Sequence, residues 1–313
     1  MHPSEKLNVV LGAGPVGRVL VERLVEQGRQ VRIVTRRVQV RAPDVVEVVA
    51  ADVSLEDDAK RVCEGAGVVY GCVDLDDGNW AGLWPPMMAG MLAGAEAARA
   101  RFVFMDNLYM YGPSDVVLTE DLPLTDYGIR PATRARLTRM WQEAHVAGRV
   151  QAAAVRASDF YGPGVTLSAL GDFTFGRVLS GKAAQCLGDV DQVHAFTYVP
   201  DIARALVTIG EADDDAMGQA WHVPNAPELT MREVLQMFAK AVGKKLKISV
   251  MPSVMLSVVG LFSSNVRELK EMMYEWDRPF RVDHAKFAKR FWANPTSFDK
   301  GITTTAKWYQ EIR

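Results

Sequence analysis

LNVVLGAGPVG, Leu7 to Gly17, is the stretch that decides how the rest of the chain is read. A short β-branched run enters a glycine turn, and VLVERLVEQG behind it groups Val19, Leu20, Val21, Leu24 and Val25 at helical spacing. The order is strand, turn, helix. Gly12 permits the tight turn, Gly14 lets a pyrophosphate approach the backbone, and Gly17 lets the helix pack close on the strand. The helix N-terminus then offers amide hydrogens and a positive dipole end to phosphates. Gly12, Gly14, Pro15, Val16 and Gly17 are therefore the first candidate cofactor-binding residues.

The next strand, Gln30 to Thr35, ends in Arg36-Arg37, where a site preferring NAD would place an acidic residue for the ribose hydroxyls. Two guanidinium groups suit a 2′-phosphate instead, so NADP(H) is expected in preference to NAD(H).

Further out, Val45 to Ala50 reads as a third strand, Leu55 to Glu64 as a charged helix, Gly67 to Tyr70 as a fourth strand, Phe102 to Met105 as a fifth and Val150 to Val155 as a sixth. Between the fourth and fifth lies an Ala- and Met-rich helix, Met87 to Ala100, whose stripe reads as core. Trp80, Trp84 and Pro85-Pro86 before it are expected in a loop that walls a pocket. This alternation predicts an α/β fold, a Rossmann-type doubly wound parallel sheet.

Beyond Tyr161 the rhythm changes to short strands, at His194 to Val199, Ala220 to Pro224 and Lys245 to Val250, among helices at Pro200 to Glu211, Thr230 to Val242 and Ser253 to Glu275. The expected division is a dinucleotide-binding domain over 1–160, with further segments at about 190–225, and a smaller C-terminal α/β substrate lobe over 161–313.

A formal charge of -2, with both signs mixed along 313 residues, gives no electrostatic case for nucleic acid or an anionic membrane. Cys63, Cys72 and Cys186 form no CxxC, the histidines form no HxH or HExxH, and no disulfide framework or metal site is expected. No export signal or membrane span is read, so the expected setting is the cytoplasm and the expected partner a small-molecule substrate, with a homodimer left open.

Several motifs then coincide: GAGPVG, Asp52-Val53 after the third strand, DNLYMYG (Asp106 to Gly112), VRASDFYGPG (Val155 to Gly164), FTYVPDIARAL (Phe196 to Leu206), WHVP and a terminal TAKWYQ. In this order, and nearly end to end, they resemble the extended and atypical branches of the short-chain dehydrogenase/reductase superfamily, the group labelled NAD-dependent epimerase/dehydratase. The resemblance implies that Asp52 and Val53 meet the adenine. It adds Cys72, and Ala157 and Ser158 near the carboxamide end, to the cofactor contacts.

Such enzymes pair a proton-exchanging tyrosine with a lysine four residues on, plus a serine or threonine after the fifth strand. All three positions are altered here. The serine position falls on Asn107, whose amide donates but relays no proton, and the helix positions fall on Ala132 and Arg136. Arg136 keeps a charge that suits ribose hydroxyls, whereas its neighbours Arg134 and Arg139 read as a solvated face. Tyr127 mimics the motif, but Pro131 occupies its lysine position. Tyr109 is the other candidate acid: if the fifth strand runs that far, Asn107 and Tyr109 project to one side, against the alternative that Tyr109 and Tyr111 merely pack. The candidate catalytic set is thus Asn107, Tyr109, Tyr127 and Arg136. Asp159 stands where sugar-nucleotide enzymes of the group often carry asparagine, and a bare carboxylate would repel a diphosphate.

The expectation is an NADPH-dependent reductase of a small carbonyl, imine or activated alkene with a non-standard active site. The alternatives are an NADP-binding sensor without turnover and a sugar-nucleotide epimerase or dehydratase.

Overall fold

The computed structural model describes residues 5–36, 42–75, 78–251, 268 and 270–312. β1 (Leu7–Leu11) is almost wholly buried and hydrogen-bonds β2 (Val31–Thr35) on one side and β4 (Ala66–Gly71) on the other. Such a strand has no solvated face, which is why it is apolar but for the fully buried Asn8, whose side-chain amide donates to the Lys6 carbonyl. α1 (Pro15–Glu26) crosses from β1 to β2, β3 (Glu47–Ala50) lies outside β2, and α2 (Glu56–Cys63) leads to β4. Then come α3 (Trp80–Ala98), β5 (Arg101–Asp106), α4 (Arg130–Val146) and β6 (Ala152–Arg156).

The sheet has seven strands in the order β11-β6-β5-β4-β1-β2-β3, where β11 is Ala220–His222, and from β3 through β6 neighbours run parallel. The expected doubly wound parallel sheet is borne out. Strand order reverses between β1 and β4, the point at which open α/β sheets bind their ligands, outside the carboxyl ends of the strands.

The chain divides into two interleaved compact units. One holds Met1–Met110, Pro131–Arg156 and Ile202–Trp221, and the other Tyr111–Arg130, Ala157–Asp201 and His222–Arg313. The second unit is built from short pairs: β7 (Asp159–Tyr161) with β10 (Phe196–Tyr198), β8 (Ala184–Cys186) with β13 (Ile248–Val250), and β9 (Val193–His194) with β12 (Leu229–Thr230). Its core is aromatic: Phe175 stacks on Phe238 at 4.0 Å, and Tyr309 meets both edge-on. α5 (Arg177–Leu179) and α6 (Val199–Gly210) precede α7 (Met231–Ala241), which Thr230 and Glu233 start with reciprocal capping bonds.

Three elements depart from expectation. α3 begins at Trp80, seven residues earlier than the pattern suggests, and carries Pro85 and Pro86 inside it. The Asn79 side chain accepts the Gly82 amide and starts the helix ahead of the prolines, so the expected pocket-wall loop is absent, with Trp80 and Trp84 buried in the core. The expected strand over His194 to Val199 is interrupted at Ala195 and gives way to helix at Val199. Of the expected helix at Ser253 to Glu275, residues 253–267 and 269 lie outside the described residues, and Met273–Glu275 is a 3-10 turn.

Candidate functional site at the carboxyl edge of the sheet

Because β1, β2, β4 and β5 are parallel, the residues that follow them share one edge of the first unit. After β1, Gly12 has a φ of +111°, and a Cβ there would run into the Cys72 carbonyl that follows β4. A Cβ at Gly17 would strike the Gly12 carbonyl oxygen, so α1 is held against the turn. Gly14 differs: a Cβ would meet nothing within 4 Å. The open face at Gly14 adjoins the first turn of α1, where Pro15 has no N–H and the amides of Val16 and Gly17 precede the first possible intrahelical bond. This is a cradle shaped for a phosphate group, and these residues fit a dinucleotide.

Arg36 is exposed and directly follows β2, while Arg37 lies outside the described residues. The Asp52 carboxylate accepts from the Ser54 amide and hydroxyl, which fixes the bend carrying Asp52 and the buried Val53. Burial pushes the Cys72 thiol up to about 12, leaving it neutral at pH 7 and without thiolate chemistry.

The edge beyond β5 is arranged differently from the sequence expectation. β5 stops at Asp106, so Asn107 and Tyr109 do not alternate along a strand. The Asn107 side chain instead accepts the Tyr109 amide and turns the chain into a 3-10 segment, Tyr109–Tyr111. Tyr109 is half-buried and its ring stacks on Trp80 at 6.1 Å.

On α4 the inward arginine is Arg134, and Arg136 is exposed. The helix phase explains this correction. Leu137, Trp141 and Ala144 are buried at helical spacing, Arg134 precedes Leu137 by three, and Arg136 points some 200° away from Arg134 around the axis. The guanidinium of Arg134 donates to Asp106 Oδ1 at 3.2 Å and lies 3.9 Å from the Trp84 ring centre and 5.0 Å from that of Trp80. Arg156, opposite Asp106 in the β5–β6 register, approaches Asp106 Oδ2 at 3.8 Å and donates to Thr138 Oγ1, one helical turn beyond Arg134. Burial raises the Asp106 carboxyl above its ordinary value against the pull of both arginines, and it lowers the Arg134 guanidinium against the pull of Asp106.

Other candidates fall in the second unit. Tyr127 precedes α4, is 44% exposed and meets Tyr274 edge-on at 5.9 Å. Ala157 is buried, and the Ser158 hydroxyl shares a hydrogen bond with Thr197. Asp159 is no bare carboxylate, since it is hydrogen-bonded to His194 Nε2 at 2.8 Å. The His194 ring in turn lies flat on Trp276 at 4.1 Å. His222 is fully buried between the Tyr111 hydroxyl at its Nε2 and the Asp283 carbonyl at its Nδ1. A carbonyl only accepts, so Nδ1 carries the hydrogen and, in the neutral ring, Nε2 accepts from Tyr111.

Among the described residues, no group of three or more His, Cys, Asp and Glu is placed to hold a metal ion, and no helix is long and apolar enough to cross a membrane.

Comparison with known proteins places the fold and the family. dTDP-glucose 4,6-dehydratase of Neisseria gonorrhoeae is 24% identical over 225 residues, which are 68% of this chain and 60% of that protein. The chain thus spans less than two thirds of the length of the curated relatives it matches. Among solved structures, a double mutant of the dTDP-glucose 4,6-dehydratase DesIV from Streptomyces venezuelae, with NAD and DAU bound, superposes with a TM-score of 0.79 at 19% identity, over 98% of this chain and 97% of that one. UDP-glucuronic acid 4-epimerase from Bacillus cereus, in complex with NAD, gives 0.78 at 16% identity over 98% and 99%. At such identities these superpositions establish the fold. A family model matches residues 9–223, from β1 to just past β11, and on that match the chain belongs to the NAD dependent epimerase/dehydratase family.

Proposed function

We propose that the chain is an NAD(P)-dependent enzyme that moves hydride to or from an oxygen-bearing carbon of a small polar substrate. The observation that carries this reading is the glycine turn, closed by backbone at Gly12 and Gly17 and open at Gly14. When bound, the dinucleotide supplies the hydride donor or acceptor. The Val16 and Gly17 amides hold the pyrophosphate, Arg36 meets a 2′-phosphate, and Asp52 and Val53 border the adenine. At the β5 end, the Asn107 amide donates to the substrate oxygen and Tyr109 exchanges a proton with it.

The finer reading we favour is epimerase or dehydratase chemistry on a nucleotide-linked sugar, in which hydride leaves and returns and no dinucleotide is consumed. The names of the relatives support it, and the His194 partner of Asp159 weakens the electrostatic objection to a diphosphate. The exposed Arg36 supports a second reading, an NADPH-consuming reductase of a small carbonyl, imine or activated alkene.

Calorimetry with NAD, NADH and NADPH tests the shared claim. Tight binding by the wild type, lost in Gly14→Val, is expected, and Arg36→Ala should weaken NADPH by about 1 to 3 kcal/mol without affecting NADH. Dinucleotide-loaded protein is then given UDP- and dTDP-sugars. Product without net change in reduced nicotinamide selects the first reading, and steady loss of NADPH with a carbonyl substrate selects the second. If no dinucleotide binds, both fall.

A further inference from the structure

The glycine turn at the head of α1 carries no counter-charge of its own. Its N-cap, Gly14, has no side chain to accept the amides of Val16 and Gly17, and the first turn of the helix holds no acidic residue. The positive end of the helix dipole is therefore left uncompensated by the chain.

Onto this end the sequence turns a cation. Arg18 directly follows Gly17, and helical side chains lean toward the N-terminus, so its stem runs back over the turn. Arg18 Nε donates to the Ala13 carbonyl, between Gly12 and Gly14, at 2.9 Å. The side chain is exposed, and among the described residues its two terminal nitrogens make no hydrogen bond and no ion pair. A carboxylate stands close by and is passed over: Glu22 lies one helical turn further on, where burial and then Glu26 raise its carboxyl against the pull of Arg18.

A guanidinium at the positive end of a helix is an electrostatic misfit, and an anion between the two removes it, because both then attract the same group. Space for that anion is at Gly14, where a Cβ would meet nothing within 4 Å. We propose that Arg18 is the counter-cation of the dinucleotide's pyrophosphate: Nε keeps the guanidinium on the Ala13 carbonyl, and the two terminal nitrogens pair with phosphate oxygen beside the Val16 and Gly17 amides. This deepens the dinucleotide reading above and rests on its glycine cradle. Arg18 answers a charge that NAD and NADP share, whereas Arg36 answers the 2′-phosphate that NADP alone carries.

The test is calorimetry on the full chain with NADH, NADPH and ADP-ribose, which holds the pyrophosphate without the nicotinamide. Arg18→Gln puts an amide N–H where Nε stands, keeping a donor for Ala13 and removing the charge. It should weaken all three ligands by a similar factor, about ten-fold or more at low salt, and melt with wild type. Wild-type affinity should fall more steeply with added salt than that of Arg18→Gln, and Arg18→Lys, which keeps the charge, should regain part of the loss. Unchanged ADP-ribose binding by Arg18→Gln overturns the assignment, as does a loss confined to NADPH, which puts Arg18 at the 2′-phosphate. A loss matched by a fall in melting temperature makes Arg18 a prop of the turn and overturns it too. Tight NADH or NADPH binding indifferent to Arg18 sinks this assignment and spares the hydride-transfer reading, whereas Arg18-dependent ADP-ribose binding without either dinucleotide does the reverse. If wild type binds none of the three, both fall.

Discussion

The carboxyl ends of β1 and β5 lie along one edge of the same sheet, yet they are built on opposite terms. At β1 the geometry depends on side chains being absent: Gly12 and Gly17 leave no room for a Cβ, and Gly14 leaves room for something that is not protein. At β5 it depends on side chains converging from β5, β6, α3 and α4, namely Asp106, Arg156, Trp84 and Arg134. Contiguous glycines can be read from a linear pattern. A charge cluster assembled across some 70 residues of chain cannot, until the phase of each helix is known.

The largest effect that sharpens this contrast is expected from Arg134→Met. Removing one partner from a buried ion cluster leaves Asp106 with less compensation and should cost about 3 to 5 kcal/mol, read as a fall in the urea midpoint. Second comes the pair Gly17→Ala and Gly14→Val. The first forces a methyl group into the Gly12 carbonyl and should lose about 1 to 3 kcal/mol of stability, while the second should melt close to wild type and lose dinucleotide. Equal destabilisation of both would break the idea that Gly14 is kept free for a ligand.

A control lies in the second unit, at the buried Glu275, whose carboxyl is raised well above its ordinary value by desolvation and then by Asp159. A raised folded-state value means stability that is full below the unfolded value and lost as pH rises through the folded one. Glu275→Gln should therefore gain on wild type in melting temperature between about pH 5 and about pH 8, and a gap that shrinks would contradict the assignment. The smallest effect is expected from Arg136→Ala, within about 0.5 kcal/mol, with dinucleotide affinity unchanged, since that side chain points to solvent.

Much of the fold is legible because buried parallel strands announce themselves as apolar runs, as in Val9 to Leu11 and AGVVYG. α3 was misjudged at its start, since Pro85-Pro86 read as a break while the competing signal, Asn79 as a cap, is a single residue. Arg134 was assigned to the solvated face by its neighbourhood in sequence. Leu137, Trp141 and Ala144 fix the helix phase and would have placed it inward. The expectation that Tyr109 lies on the fifth strand fails, because that strand ends three residues earlier, at Asp106. What places it beside Trp80 is the Asn107 turn.

One feature of α3 reaches past packing. A Cβ at Gly90 would strike the Val53 carbonyl, so the middle of the helix is pinned, backbone to backbone, to the loop after β3, while its first turns carry Trp80 and Trp84 over Arg134. At 1.5 Å per residue, the ten steps from Trp80 to Gly90 make a strut of about 15 Å. The helix is thereby a gauge block: it fixes the spacing between the bend at Asp52-Val53 and the tryptophan roof, and a bulkier residue at Gly90 would miscalibrate both ends at once.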